Sequence, residues 1–288
     1  MRPLSVALVL LSALSHLYWN YQAKKSPAPA VFTFWLMGIG SLLAAPVGLA
    51  VATHRTIPPI GWACVAGTGL LYAAYYFFLA RGYDHDDLSR VYPIARGVAP
   101  AATAAWGVLF YQEHPSLAGW LGIAAVSVGV LLLCVPAGWP KKRGAPLPMA
   151  GILAAIGTGL CTSGYSAVDK LGVRYVDPAL YLTLTFAAGA LAQGMVLWQH
   201  GGPQPLLAEV RRAGMAVWLG AAASAGGYLL ILLVLKSEPI SYVVPLRSTA
   251  VLLSVVAGSR LLGEEGGPLR LASAALIVAG ICAIALGG

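Results

Sequence analysis

The chain has 288 residues, of which 59% are hydrophobic and only 10% charged, and its mean hydropathy is +0.78. So little charge cannot cover the surface of a soluble globule, which excludes a water-soluble domain and leaves an integral membrane protein. The formal charge of +8 does not indicate nucleic acid as a partner, because the basic residues are scattered over predicted loops rather than gathered on one face.

Apolar runs of about 20 residues, the length that roughly 30 Å of hydrocarbon demands of a helix, predict ten transmembrane spans. They cover 4–22, 31–53, 60–80, 89–111, 117–135, 148–168, 179–199, 215–235, 239–262 and 269–287. The connections are short, so the expected fold is an all-α membrane protein with no sizeable soluble domain. Met1-Arg2 followed by an apolar run could also open a secretory signal peptide. The continuation "SHLYWNYQAKK" is not a small-residue cleavage region, and its removal would leave the first half one helix short, so the first run is read as a span.

That span carries His16, Trp19 and Asn20 at spacings of three and four, which places them on one helix face. A polar-aromatic stripe inside a membrane helix either bonds to neighbouring helices or lines a cavity. His16 lies too deep for interfacial anchoring, and its imidazole could carry a proton. The third span has Tyr72, Tyr75 and Tyr76 at helical spacing, with Tyr72 and Tyr76 on one face. The fourth opens "VYPIARG" (91–97), in which Tyr92 precedes Arg96 by one turn and Pro93 interrupts the helix. In the sixth, Tyr165 precedes Asp169 by one turn. The ninth repeats the outline of the fourth as "YVVPLRS" (242–248), with Tyr242, Pro245 and Arg247.

Nearly all charged residues can be placed in loops or within a turn or two of a span end, where long side chains snorkel. Arg96 and Arg247 cannot. Each lies about 12 Å along its helix from the start of its span, and a lipid-facing arginine near mid-bilayer costs at least roughly 2.5 kcal/mol. Both must face protein, water or ligand. One reading pairs them with backbone carbonyls freed by Pro93 and Pro245; the other points both guanidiniums at an anionic ligand, whose oxygens suit their fork geometry. No acid is expected at comparable depth to neutralise them, because Asp169-Lys170 and "GYDHDD" (82–87) are read as span-end or loop residues.

The remaining polar groups suggest structure rather than chemistry. "DHDD" has no second ligand cluster, so no metal site is expected. Cys64, Cys134, Cys161 and Cys282 fall inside spans without paired spacing and read as small apolar core residues. Trp62, Trp120, Trp139 and Trp218 fall near span ends, as interfacial belts do. Glu113, Glu264 and Glu265, in the turns after spans four and nine, are expected to cap the next helix or to pair with Arg260 and Arg270. Counting basic residues on alternate sides gives five on the side of the termini against eleven on the side of the "PKKRG" linker. The positive-inside tendency therefore places the linker in the cytoplasm.

Residues 90–132 align with 241–283 at an offset near 152, which superposes Pro93 on Pro245 and Glu113 on Glu265. Each half holds five spans, an odd number, so the second copy is inserted upside down relative to the first. The expected divisions are a first repeat at 1–137, a basic linker at 138–148 and a second repeat at 149–288.

Ten spans in two halves, a proline early in the fourth and ninth, and turns "YQEHPSLAGWLGI" and "LLGEEGGPLRLAS" resemble the drug/metabolite transporter superfamily, specifically its EamA-type members. The first copy departs from the glycine-acid turn by having Gln112 before Glu113. The resemblance implies a multi-pass protein of the bacterial cytoplasmic membrane that moves small metabolites through a central cavity by secondary transport, often export. On this reading Arg96 and Arg247 would fix the acidic end of an anionic or zwitterionic solute. Trp19, Tyr75, Tyr92, Tyr165 and Tyr242 would contact its body, His16 and Asn20 would hydrogen-bond it, and Pro93 and Pro245 would act as hinges. Protons or a counter-substrate are candidate coupling partners, no cofactor is expected, and the protein would be a monomer or weak homo-oligomer. The rival class, a membrane-embedded enzyme acting on a lipid, would need a nucleophile, paired carboxylates or a metal set, and no such motif is present in the sequence. A purely structural subunit would give no reason for matched buried arginines.

Overall fold

A computed structural model describes residues 1–52, 56–85, 88–133, 149–202, 204–250 and 268–287. All regular structure among them is helical: α1 (Pro3–Lys25), α2 (Pro29–Ala52), α3 (Pro59–His85), α4 (Leu88–Tyr111), α5 (Leu117–Leu133), α6 (Met149–Tyr175), α7 (Pro178–Gly201), α8 (Gln204–Ala213), α9 (Met215–Leu235), α10 (Ile240–Arg247) and α11 (Pro268–Gly287). Of these, α1, α2, α6, α7 and α9 are long and apolar enough to cross a membrane, while α5 and α11 are apolar but shorter. α3 and α4 have 27 and 24 residues, and α10 has eight where a longer ninth span is expected. The continuation of that span beyond residue 250, the basic linker, Cys134, Trp139, Arg260, Glu264 and Glu265 lie outside the described residues.

The chain forms two compact units, and each draws on both sequence halves. One comprises Met1–Leu10, Ala74–Ala167 and Glu238–Gly288; the other comprises Leu11–Ala73 and Val168–Ser237. In the second unit α2 packs along α7 and α9, around Phe32, Leu36, Ile39, Val217 and Ala221. Close approach of α2 to α7 requires a glycine: a Cβ on Gly48 would come within 3.0 Å of the Leu180 backbone. Removing side chains at such a crossing lets two backbones pack where lipid supplies no hydrophobic drive. α7 starts at Pro178, whose missing N–H costs nothing there, and the Asp177 side chain accepts the Ala179 N–H at 2.9 Å.

In the first unit α5 packs mainly on α11 and on α4, with α10 against α4. Ile123, Val126 and Val130 meet Ile277 and Ile284 in one cluster. Here too a glycine pair sets the approach, since a Cβ on either Gly122 or Gly280 would lie 2.7 Å from the other's carbonyl oxygen.

Three expectations need correction. The connection after α7 holds a helix, α8, because Leu206 and Val210 recur at a spacing of four and give the segment one apolar face. Cys282 is exposed rather than core, whereas Cys64 and Cys161 are buried free thiols. The sixth helix does not end at residue 168 but runs on to Tyr175, with consequences for Asp169. Trp62, Trp120 and Trp218 face outward near helix ends, as belt residues do.

Candidate functional site

Arg96 and Arg247 fall in the same compact unit, on α4 and α10, two helices that pack together. Both are half-buried. Pro245 sits buried inside α10, and the helix gives way to a turn at Ser248, whose N–H bonds to the Pro245 carbonyl at 3.0 Å. Tyr75 and Tyr165 are half-buried in the same unit. Tyr92 and Pro93 lie within α4, with side chains outside the described set. Tyr242 is buried in the α5–α11 cluster, and its hydroxyl accepts the Ser116 N–H at 3.1 Å.

His16, Trp19 and Asn20 belong to the other unit. The His16 ring meets Trp19 edge-on at 4.7 Å, and Asn20 Nδ2 donates to the His16 carbonyl at 2.7 Å. Trp19 also packs against the Phe32–Val217 cluster.

In this second unit lies a group that sequence reasoning placed in solvent. Asp169 is 0% exposed and Lys170 is 7% exposed, both within α6. Asp169 Oδ1 accepts from Thr68 Oγ1 at 2.6 Å and from the Tyr181 hydroxyl at 2.9 Å, and Oδ2 accepts from the Tyr228 hydroxyl. Thr68 comes from α3, Tyr181 from α7 and Tyr228 from α9, so the carboxylate joins four helices. Thr68 Oγ1 and the Tyr181 hydroxyl are themselves 3.0 Å apart, and Tyr181 reaches the Cys64 carbonyl at 3.4 Å. Phe186 stacks on Tyr228. Counting apolar residues hid this site, because the apolar run ends at Val168 while the helix continues. A signal was present nonetheless: Thr158, Thr162, Ser166 and Asp169 recur at spacings of four, four and three, a polar stripe on one face that carries past the supposed end.

Three further carboxylates are bonded, Glu209 and Glu238 buried and Glu113 half-buried. Glu113 accepts the N–H groups of Ile240 at 2.8 Å and Ser241 at 3.0 Å, so it caps α10 rather than the next helix, α5. Gln112, just before it, has φ 52°, the left-handed conformation that glycine adopts without strain. Glu238 holds the chain start through the Arg2 N–H and the Ser5 hydroxyl, at 3.1 and 2.7 Å. Glu209 on α8 accepts from Ser26 at 2.6 Å and from Arg212 at 2.9 and 2.7 Å. The Arg212 guanidinium, aided by Ser26, holds the Glu209 carboxyl below its usual range against the opposing effect of burial, and Glu209 in turn raises Arg212. A cavity of about 790 Å³ between α2, α7 and α8 is lined by Phe34, Trp35, Leu191, Met195 and Trp198 among others, and no charged side chain lines it. Among the described residues no group of His, Cys, Asp and Glu is arranged to hold a metal.

A helical membrane protein built from a duplicated unit, with charged side chains held inside its spans, is the class these features define. The sequence matches the EamA-like transporter family twice, over residues 3–135 and 149–286. The chain belongs to that family. It is 24% identical over 265 residues to the uncharacterized transporter YwfM of Bacillus subtilis (strain 168), covering 91% of this chain and 86% of that protein. It is also 35% identical over 79 residues to an uncharacterized transporter in the cobO 3′ region of a Sinorhizobium species, covering 27% of this chain and 55% of that one. A crystal structure at 18% identity superposes with a TM-score of 0.74, covering 99% of this chain and 97% of the other. The family and both relatives carry the name of transporters.

Proposed function

We propose that this protein is a secondary carrier that moves a small anionic or zwitterionic metabolite, such as an amino acid, an organic acid or a phosphonate-like solute, across the bacterial cytoplasmic membrane. It works by alternating access, through ten spans arranged as two inverted five-helix halves, and Arg96 and Arg247 bind the acidic end of the solute. The observation that carries this reading is the pair itself. Two permanently charged side chains, one place apart when Pro93 is superposed on Pro245, are half-buried on α4 and α10, helices that pack on each other. A guanidinium carries five N–H donors in a planar fork that suits a carboxylate or phosphate-like group, and intramembrane cations tend to mark a substrate path. Tyr75 and Tyr165, half-buried in the same unit, supply apolar walls with one hydrogen-bonding tip each.

A thermal-shift screen of amino acids, organic acids and phosphonates against the purified protein identifies the ligand. With it, Arg96→Ala is expected to raise Kd at least about tenfold, a loss of roughly 1.4 kcal/mol, while leaving the unliganded melting temperature within a few degrees. An unchanged Kd would favour pairing of the arginine with backbone carbonyls instead. Flux of the labelled ligand into sealed vesicles separates carrier from enzyme, since an enzyme converts the label without moving it.

A further inference from the structure

We propose that Asp169 is a reversible proton-binding site, occupied and emptied through two complete hydrogen-bond networks built on the same heavy atoms. The inference rests on the carrier reading for its role in transport, but not for its chemistry. An ionised carboxylate is an acceptor only, and here it is given three hydroxyl donors: Thr68 and Tyr181 on Oδ1, Tyr228 on Oδ2. A protonated carboxyl must instead donate, and a buried donor without an acceptor is costly. The geometry provides one. With the proton on Oδ1, Asp169 donates to Thr68 Oγ1 across 2.6 Å. Thr68 then turns its own hydroxyl to Tyr181, 3.0 Å away, and Tyr181 turns its hydroxyl to the Cys64 carbonyl at 3.4 Å. Tyr228 continues to donate to Oδ2. Every hydroxyl has an acceptor in both states, and only hydroxyl rotations separate them. A carboxylate whose single task was to tie helices together would need only the first network; the chain ending in a backbone carbonyl is what accommodates the second.

The titratable and charged side chains set about Asp169 are Cys64 on α3, Tyr181 on α7, Tyr228 on α9 and, next to it on α6, Lys170. In the same unit α1 contributes His16, Tyr18, Tyr21, Lys24 and Lys25, α3 also carries Tyr72, and α2 carries no ionisable side chain. The proton comes from water and returns to it, so no other reactant is consumed. Because Asp169 has no exposed surface in this conformation, exchange with solvent belongs to another stage of the transport cycle. That requirement links the proton to the solute.

The test uses the full chain in nanodiscs and the proton as probe. Infrared difference spectra between wild type and Asp169→Asn, collected across about pH 5–8, should contain a protonated-carboxyl stretching band that titrates and is absent from the variant. Tyr228→Phe, which removes one donor, should shift the midpoint by about one unit, a tenfold change in proton affinity. Asp169→Glu, which keeps the carboxyl should Asn fail to fold, should retain a titrating band at altered frequency. A band that never forms in this range, or one present and unchanged throughout, overturns the proposal. Failure of the carrier reading would show separately, as absent solute flux with the titrating band intact.

Discussion

Two ways of keeping a charge inside lipid stand side by side in this chain. Asp169, in the unit of Leu11–Ala73 and Val168–Ser237, is closed over: three hydroxyls from three helices use its lone pairs, and none of its surface is exposed. Arg96 and Arg247, in the other unit, are only half-buried on α4 and α10. A fully enclosed group is expected to weigh more on the fold and a partly exposed one more on ligand binding, since burying a polar group is what a membrane interior penalises most. The contrast also separates the two repeats, because α1, which begins the first repeat, carries no acid at all where α6 carries Asp169.

The most damaging test of this contrast is Asp169→Leu. It removes the carboxylate that accepts from Thr68, Tyr181 and Tyr228 and leaves Thr68 and Tyr181 with only each other and the Cys64 carbonyl, which should cost on the order of 2 kcal/mol, read as a large drop in melting temperature. If it melts no earlier than Arg96→Ala, the distinction between closed and half-open charges fails. Glu113 offers a smaller version of the closed case. It satisfies two N–H groups at the start of α10, so Glu113→Ala should destabilise by about 1 kcal/mol, within the range for a lost cap. The effect should be measurable as earlier loss of helical signal on heating, and no change would show that those N–H groups find other acceptors. Smallest, and opposite in sign, is Gln112→Gly. A non-glycine residue in the left-handed region carries roughly 1 kcal/mol of strain, part of which glycine gives back as unfolded-state entropy. The variant should melt slightly later; an earlier melt would mean that the glutamine side chain makes a compensating contact.

That last position illustrates how legible the chain was. The departure of Gln112 from the glycine-acid turn is visible in sequence, and φ 52° gives its physical reason. The doubled family match over 3–135 and 149–286 agrees with the repeat read from the paired prolines and glutamates. The same reading missed Asp169 for a definite cause. Hydropathy reports where lipid contact ends, and a helix buried by its neighbours needs no apolar surface to continue, so α6 extends past its apolar run. Glu113 was identified as a cap, but for the wrong helix. Capping the following helix needs only local chain geometry, whereas α10 comes from the other repeat.

Composition and the length of apolar runs determined the environment and the helical class, because the bilayer forces every backbone N–H and C=O to bond within its own segment, and the alignment of 90–132 with 241–283 determined the duplication. Which polar residues ended up enclosed, and by which partners, was decided only by the packing of α3, α6, α7 and α9. Burial and hydrogen bonding depend on what approaches from elsewhere in the chain, and a single helix's pattern carries no record of that.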